Sequence, residues 1–231
     1  MKHKAIAGRG GKVRIFVVDD HPFLRQGLVY SISREPDMVV CGEAESAEEG
    51  LTGIGLTKPD VLLTDIVLPG KSGLELVKDV TATYPEVAVV VLSMHSEPHY
   101  AERALQAGAR GYLMKLDGAS VLVTAIRRVL GGQIYVSESI ASRLLEGFSP
   151  RRKPVTTSSP VEKLSDRELE IFELIGSACS SRQIADQLHI SIKTVEAHRA
   201  NIKQKLSLKG APELIRYAVQ WLDTRDSSKP A

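Results

Sequence analysis

Five short runs dominated by Val, Ile and Leu, each ending against polar residues and each followed by an amphipathic segment, constrain this chain more than any other feature. The runs are 13 to 18 (VRIFVV), 38 to 42 (MVVCG), 60 to 64 (DVLLT), 87 to 93 (VAVVVLS) and 110 to 114 (RGYLM). After them, 23 to 34, 46 to 57, 72 to 83, 97 to 107 and 118 to 130 carry helical spacing, as in Leu74, Val77 and Val80 or Leu122, Ile126 and Val129. Strands that are apolar without alternation belong in a sheet covered on both faces, and such a sheet is parallel. Five βα units predict an α/β doubly wound five-stranded parallel sheet.

Ligands of such sheets sit beyond the carboxyl ends of the strands, where the strand order reverses. Polar residues stand at four of those ends: Asp19 and Asp20 after the first strand, Asp65 after the third, Ser93 closing the fourth and Lys115 after the fifth. Taken singly, an acid after a strand reads as a helix cap. Taken together, three carboxylates in one crevice repel one another, and a hard divalent cation, an ammonium, or both relieve that repulsion. Mg²⁺ takes carboxylate and phosphate oxygens, which leaves Ser93 and Lys115 to bind further phosphate oxygens. The constellation predicts a site that handles phosphoryl groups.

Composition bounds the rest. A length of 231 residues accommodates one large domain or two modest ones. The longest clean apolar run, Val87 to Leu92, is far short of the roughly 18 residues of a membrane span, and the basic N-terminus MKHKAIAGRGGK lacks the apolar core of a signal peptide. Cys41 and Cys179 are too few for a disulfide framework and lack metal-ligand spacing, so a cytoplasmic location is expected. The net charge of +2 hides an asymmetry: residues 13 to 135 hold 11 Lys and Arg against 16 Asp and Glu, whereas 182 to 209 hold 6 against 2. The composition changes across GFSPRRKPVTTSSPVE (147 to 162), whose prolines, basic trio and Ser/Thr residues read as an interdomain linker.

Beyond the linker, Ser165-Asp166-Arg167-Glu168 is a capping box opening a helix through about Ser177, and Ser180-Ser181-Arg182-Gln183 opens a second, short helix to about Leu188. Ser191 caps a third, 192 to 206, and the short break at His189-Ile190-Ser191 makes a helix-turn-helix pattern. In the third helix Val195, Ile202 and Leu206 share a face with Arg199 and predict the core side. Lys193, Ala197, Ala200 and Gln204, flanked by Glu196 and Asn201, occupy the opposite side and suit a major groove. Thr194, His198, Arg199, Lys203 and Lys205 lie toward the flanks, within reach of phosphates. A fourth helix, 211 to 222, carries more apolar surface than so small a domain can bury.

The segments VVDDHP (17 to 22), LLTDIVLPGKSGLEL (62 to 76), VVVLSMHSE (89 to 97) and GARGYLMK (108 to 115) resemble the receiver domain of bacterial two-component response regulators. That resemblance implies that Asp65 accepts a phosphoryl group from a sensor histidine kinase. It further implies that Asp19, Asp20, Asp65 and the backbone carbonyl of Val67 hold Mg²⁺, that Ser93 and Tyr112 form a switch pair, and that Lys115 binds the phosphoryl oxygens. Val67 and Leu116 depart from side chains common in receivers, without removing a required group.

LSDRELEIFELI (164 to 175), RQIADQLHIS (182 to 191), KTVEAHRANIKQKL (193 to 206) and ELIRYAV (213 to 219) resemble the LuxR-type output domain, which joined to a receiver makes a regulator of the NarL/FixJ type. Glu196 is an acid where many members carry a base, and Ala178 replaces the usual loop glycine, at a cost of about 1 kcal/mol if that position needs a positive φ. The resemblance implies double-stranded DNA and RNA polymerase as partners, a homodimer on phosphorylation, no membrane, and no enzymatic turnover. The implied organisation is a receiver over 13–131, a connecting helix and linker over 132–161, and a helix-turn-helix domain over 162–224.

Two other classes fit part of the pattern. A haloacid-dehalogenase-like phosphatase also phosphorylates an aspartate, but needs a D-x-D after its first strand, whereas Asp19 and Asp20 are adjacent. A regulator that dimerises without phosphate is disfavoured by the complete acidic set. Among smaller features, His95 and His99 read as surface or cap residues, Arg151, Arg152 and Lys153 as solvated, and the GRGGK of 8 to 12 lacks P-loop spacing and context.

Overall fold

The computed structural model describes residues 11–94, 98–138, 140–142 and 160–226. The glycine-rich stretch through residue 10, His95, the basic trio 151 to 153 and most of the 147 to 162 linker lie outside the described residues, as does the side chain of His99. The chain divides into two compact units, 1–151 and 152–231.

In the first unit the strands are Val13–Val18 (β1), Met38–Ala44 (β2), Val61–Asp65 (β3), Ala88–Ser93 (β4) and Gly111–Met114 (β5). The helices are Pro22–Ser33 (α1), Ala47–Thr57 (α2), Gly73–Thr83 (α3), Pro98–Gln106 (α4) and Ala119–Leu130 (α5). All pairings are parallel, in the order β2-β1-β3-β4-β5. The order turns back between β1 and β3, which sets their carboxyl ends side by side. Strand β2 runs two residues past its apolar run because Glu43 and Ala44 continue the ladder against Val17 and Val18.

The sheet is covered on both faces, as its unbroken apolar strands require. Ile15, Val17, Leu63, Val90 and Leu92 pack with Ile32 of α1 and with Ala125, Ile126 and Val129 of α5. Phe16, Val18, Leu62, Val89 and Val91 point the other way and are equally buried.

The second unit is helical: a 3₁₀ turn, Pro160–Lys163, then Asp166–Gly176 (α6), Ser181–Gln187 (α7), Ile192–Lys205 (α8) and Ala211–Asp226 (α9). Both anticipated capping boxes form, Ser165 with Glu168 and Ser180 with Gln183, and Ser191 caps α8 through the Thr194 amide. Helix α6 is touched by α7, α8 and α9, so it buries nearly its whole circumference, Arg167, Glu168, Glu170 and Glu173 included. At Gly176 a Cβ would come within 2.8 Å of the Ala218 carbonyl, which is how α9 lies so close against α6. Ala178, between α6 and α7, has φ of 62° and occupies the left-handed region that glycine tolerates best. On α9, Leu214 and Ala218 are buried while Ile215 is exposed.

Candidate functional site

The four strand ends converge. Asp19 and Ser93 are fully buried and Asp65 is nearly so. The Lys115 Nζ lies 2.5 Å from Asp65 Oδ2 and 2.8 Å from Asp19 Oδ2, with its side chain almost out of contact with solvent. One ammonium thus ties the end of β1 to the end of β3 from the loop after β5. Val67 N donates to Asp65 Oδ1 at 3.3 Å, folding the following loop over the carboxylate. Helix α3 begins directly beneath: Gly73 N donates to the Ile66 carbonyl at 2.9 Å, and a Cβ on Gly73 would fall 1.8 Å from the Asp65 carbonyl oxygen. No side chain larger than hydrogen fits there.

On the β1 side, Asp19 Oδ1 accepts from the His21 amide at 2.9 Å, and His21 Nδ1 is 2.6 Å from Asp20 Oδ1. Arg25 reaches back from α1, donating to the Asp19 carbonyl at 2.5 Å and pairing with Glu45 at 2.6 Å. Sequence reasoning points to neither His21 nor Arg25 as part of this site. The nearness of His21 follows from the DDH run, whereas nothing local marks the reach of Arg25.

The electrostatics follow from the crowding. Burial pushes the Asp65 carboxyl up to about 6; the Asp19 charge adds to the rise and Lys115 opposes it. Burial alone would pull the Lys115 ammonium down, but Asp65 and Asp19 more than offset it, so its net shift is upward. At neutral pH Asp65 is therefore mostly ionised beside a firmly charged lysine.

Oxygens of Asp19, Asp20 and Asp65, with a His21 nitrogen, lie within 4.8 Å of one another, an acidic cluster of the kind that holds a divalent cation. Among the described residues, Asp19 Oδ2 and Asp20 Oδ1 are buried without a well-formed hydrogen bond, the first beside the Lys115 ammonium and the second beside the His21 imidazole. Carboxylate oxygens placed like this fit a hard cation.

Ser93 and Tyr112 lie on neighbouring strands. Tyr112 is in register with Val91 on β4, so its ring and the Ser93 side chain point to the same face of the sheet, and both are fully buried.

In the second unit Arg167 on α6 fixes the turn of the motif, donating to the Leu188 carbonyl at 3.0 Å while pairing with Glu170 at 2.6 Å. His189 takes φ of 52° to make the turn. On α8, Val195 and Ile202 are buried, while Lys193, Thr194, Glu196, Ala197, Ala200, Asn201, Gln204 and Lys205 are exposed. His198, Arg199 and Lys203 are half-buried at the flanks. Lys205 also braces α8 against α6, its Nζ lying 2.6 Å from Glu168 Oε2. Burial alone would raise the Glu168 carboxyl, but Lys205 and Ser165 hold it below its ordinary value.

A doubly wound domain with a buried aspartate and a bridging lysine at its switch point, joined to a helix-turn-helix unit, defines a phosphoryl-accepting switch coupled to a DNA-binding module. The family described as response regulator receiver domain matches residues 15–127, and the LuxR family of bacterial regulatory proteins matches residues 162–218. The oxygen regulatory protein NreC of Staphylococcus aureus is 36% identical over 211 residues, which cover 90% of this chain and 97% of that protein. A LuxR-family two-component response regulator from Aurantimonas is similar in structure over 59% of this chain and 97% of its own, with a TM-score of 0.56 and 34% identity. RcsB from Salmonella enterica, bound to a promoter in the presence of a phosphomimetic, covers 90% of this chain and 98% of its own, with a TM-score of 0.59 and 25% identity. The chain belongs to the two-component response regulators of the NarL/FixJ type. It is a DNA-binding regulator that a sensor histidine kinase phosphorylates on an aspartate, and its C-terminal helix-turn-helix controls transcription. Members of this family regulate transcription and are not enzymes. Among the described residues, no helix is long and apolar enough to cross a membrane.

Proposed function

We propose that Asp65 is the phosphoacceptor, and that the observation carrying this is the Lys115 ammonium held between Asp65 and Asp19 in a buried crevice. An Asp65 carboxylate oxygen attacks the phosphorus of the kinase phosphohistidine, the phosphorus–nitrogen bond breaks, and the imidazole leaves with its electron pair. Lys115 then follows the phosphoryl oxygens and Ser93 donates to one of them. Asp19, Asp20, Asp65 and the Val67 carbonyl hold Mg²⁺, which supplies neutralising charge for the phosphoryl oxygens.

Phosphorylation adds about −1.5 to −2 charge and three strong acceptors, which draw Ser93 and Lys115 toward Asp65. Tyr112 shares a sheet face with Ser93, so the hydroxyl and the ring respond together, and the α4–β5 face repacks. To take a population from about 1:99 to 99:1 the phosphoryl group favours the active packing by about 5.5 kcal/mol.

The receiver spans 13–131, the connector 132–161 and the output domain 162–224. The output domain binds double-stranded DNA through α8: Lys193, Glu196, Ala197, Ala200, Asn201 and Gln204 enter the major groove, and Thr194, His198, Arg199, Lys203 and Lys205 meet phosphates. The exposed Ile215 beside the buried Leu214 makes α9 the contact of a phosphorylation-dependent homodimer, which recruits RNA polymerase at its promoters in the cytoplasm. The capture of RcsB on a promoter with a phosphomimetic supports this coupling of phosphorylation to DNA binding.

The test is intact mass after incubation with acetyl phosphate and Mg²⁺. Wild type gains one phosphoryl group, whereas Asp65→Ala and chelated wild type gain none. An adduct persisting on Asp65→Ala overturns the assignment.

A further inference from the structure

Helix α8 carries a single acid, Glu196, among Lys193, His198, Arg199, Lys203 and Lys205. Its side chain is 56% exposed, and it sits in the second turn, in the half of a recognition helix that meets base edges. A carboxylate carried between two rows of DNA phosphates weakens binding unless a base edge gives it a donor. This one is also held in place from two sides. The hydroxyl of Ser181, at the start of α7, donates to Glu196 Oε1 at 2.5 Å. The Arg199 Nε, on a mostly buried side chain, lies 3.8 Å from the same oxygen. A carboxylate has about four acceptor sites, and Ser181 uses one. A side chain tethered to both helices of the motif is pre-organised to accept from whatever the groove presents, so little rotamer freedom remains to be lost on binding.

We infer that Glu196 is a specificity-determining residue that accepts a hydrogen bond from the N4 amino group of a cytosine in the major groove. The inference rests on the reading of α8 as the helix that enters DNA. Guanine presents N7 and O6 and thymine presents O4, all acceptors that repel a carboxylate. Adenine offers its N6 amino group but sets the N7 acceptor beside it, whereas the cytosine edge carries the amino donor without a neighbouring acceptor of its own. Glu196 therefore selects cytosine at one position of each half-site and discriminates against all three alternatives.

The test is selection from a pool of randomised DNA duplexes by the full-length chain after incubation with acetyl phosphate and Mg²⁺. Wild type, Glu196→Gln, Glu196→Ala and Ser181→Ala are compared. Wild type enriches cytosine at one position per half-site, with discrimination of about 5- to 100-fold over other bases. Glu196→Gln moves that position toward adenine, which a carboxamide reads through N6 and N7. Glu196→Ala loses the preference there alone and keeps the remaining motif, while Ser181→Ala keeps cytosine with smaller discrimination. Identical motifs from wild type and both Glu196 variants overturn the assignment while leaving DNA recognition by α8 standing. Absence of salt-dependent binding to any duplex by all four proteins overturns the reading of α8 and this inference with it.

Discussion

Both units of this regulator bury charge, and they use it for opposite ends. Around Asp65 two buried carboxylates share one ammonium, and a third, Asp20, stands beside them with its own buried oxygen. In α6 each of two acids has its own cation, Glu170 with Arg167 and Glu168 with Lys205, the Ser165 capping box closes the helix start, and the buried Asp166 and Glu173 add like charge near Glu170. The two central acids are raised to similar extents, Asp65 to about 6 and Glu170 to about 7, with burial the largest cause in each. A raised carboxyl alone therefore does not identify a reactive group. What separates the proposed phosphoryl site from a helix-packing device is one ammonium shared by two carboxylates, with Asp20 and His21 close enough to hold a cation with them.

The widest gap between the two regions is expected on removing Glu170. Glu170→Leu leaves the Arg167 guanidinium buried without an anion, and the second unit loses about 3–5 kcal/mol, while Arg167→Met with Glu170→Leu recovers most of it. Trp221 is the only tryptophan and packs 5.4 Å from Phe172, so its fluorescence during urea unfolding reports this unit alone. A loss below about 1 kcal/mol would erase the distinction drawn above.

In the first unit, exchanging the central carboxylate for its neutral amide is expected to stabilise, because Asp19 remains to pair with Lys115. Asp65→Asn abolishes phosphorylation yet stabilises the receiver at pH 7 by an amount on the order of 3 kcal/mol. Because the folded state raises this carboxyl, its charged form opposes folding. The gain is absent below its ordinary value of 3.8, grows as pH rises toward about 6, and is constant above that. Urea unfolding followed by circular dichroism across this range, without Mg²⁺, measures it, and a variant less stable than wild type at pH 7 would contradict it.

Glu170 sharpens the comparison within one protein. It too is raised, so its contribution to stability declines as pH rises from 4.5 through about 7, again by an amount on the order of 3 kcal/mol. The Trp221 transition of Glu170→Gln shifts less over that window than that of wild type; equal shifts would locate the titration elsewhere. The smallest effect is at Ala178, where Ala178→Gly relieves a left-handed φ of 62° and raises the second unit's stability by about 1 kcal/mol in the same assay.

Most strand and helix ends were legible to within a residue or two because apolar runs stop where the sheet stops. The exception is α9, expected to end at 222 but running to Asp226, because Asp-Thr-Arg-Asp at 223 to 226 carries no apolar signal; β2 likewise gains Glu43 and Ala44, which are recruited by their partners on β1. The meeting of Asp19, Asp65 and Lys115 was legible as a coincidence of strand ends, although the bridging geometry was not, because it depends on how β1 and β3 lie together. Arg167 and Glu170 gave no sign of burial. Charged side chains on a helix are ordinarily exposed, and the enclosure of α6 by three other helices takes these two out of water.

The glycine at 73 has a mechanical consequence. Because nothing separates the start of α3 from the Asp65 peptide, those two pieces of backbone form one abutment, and a push on the aspartate cannot be taken up between them. On the opposite side of the crevice the contact with Asp65 is made by the Lys115 side chain, whose rotatable stem can follow a displacement. The regulator thus has an anvil side and a yielding side, and a single missing methyl group decides which is which.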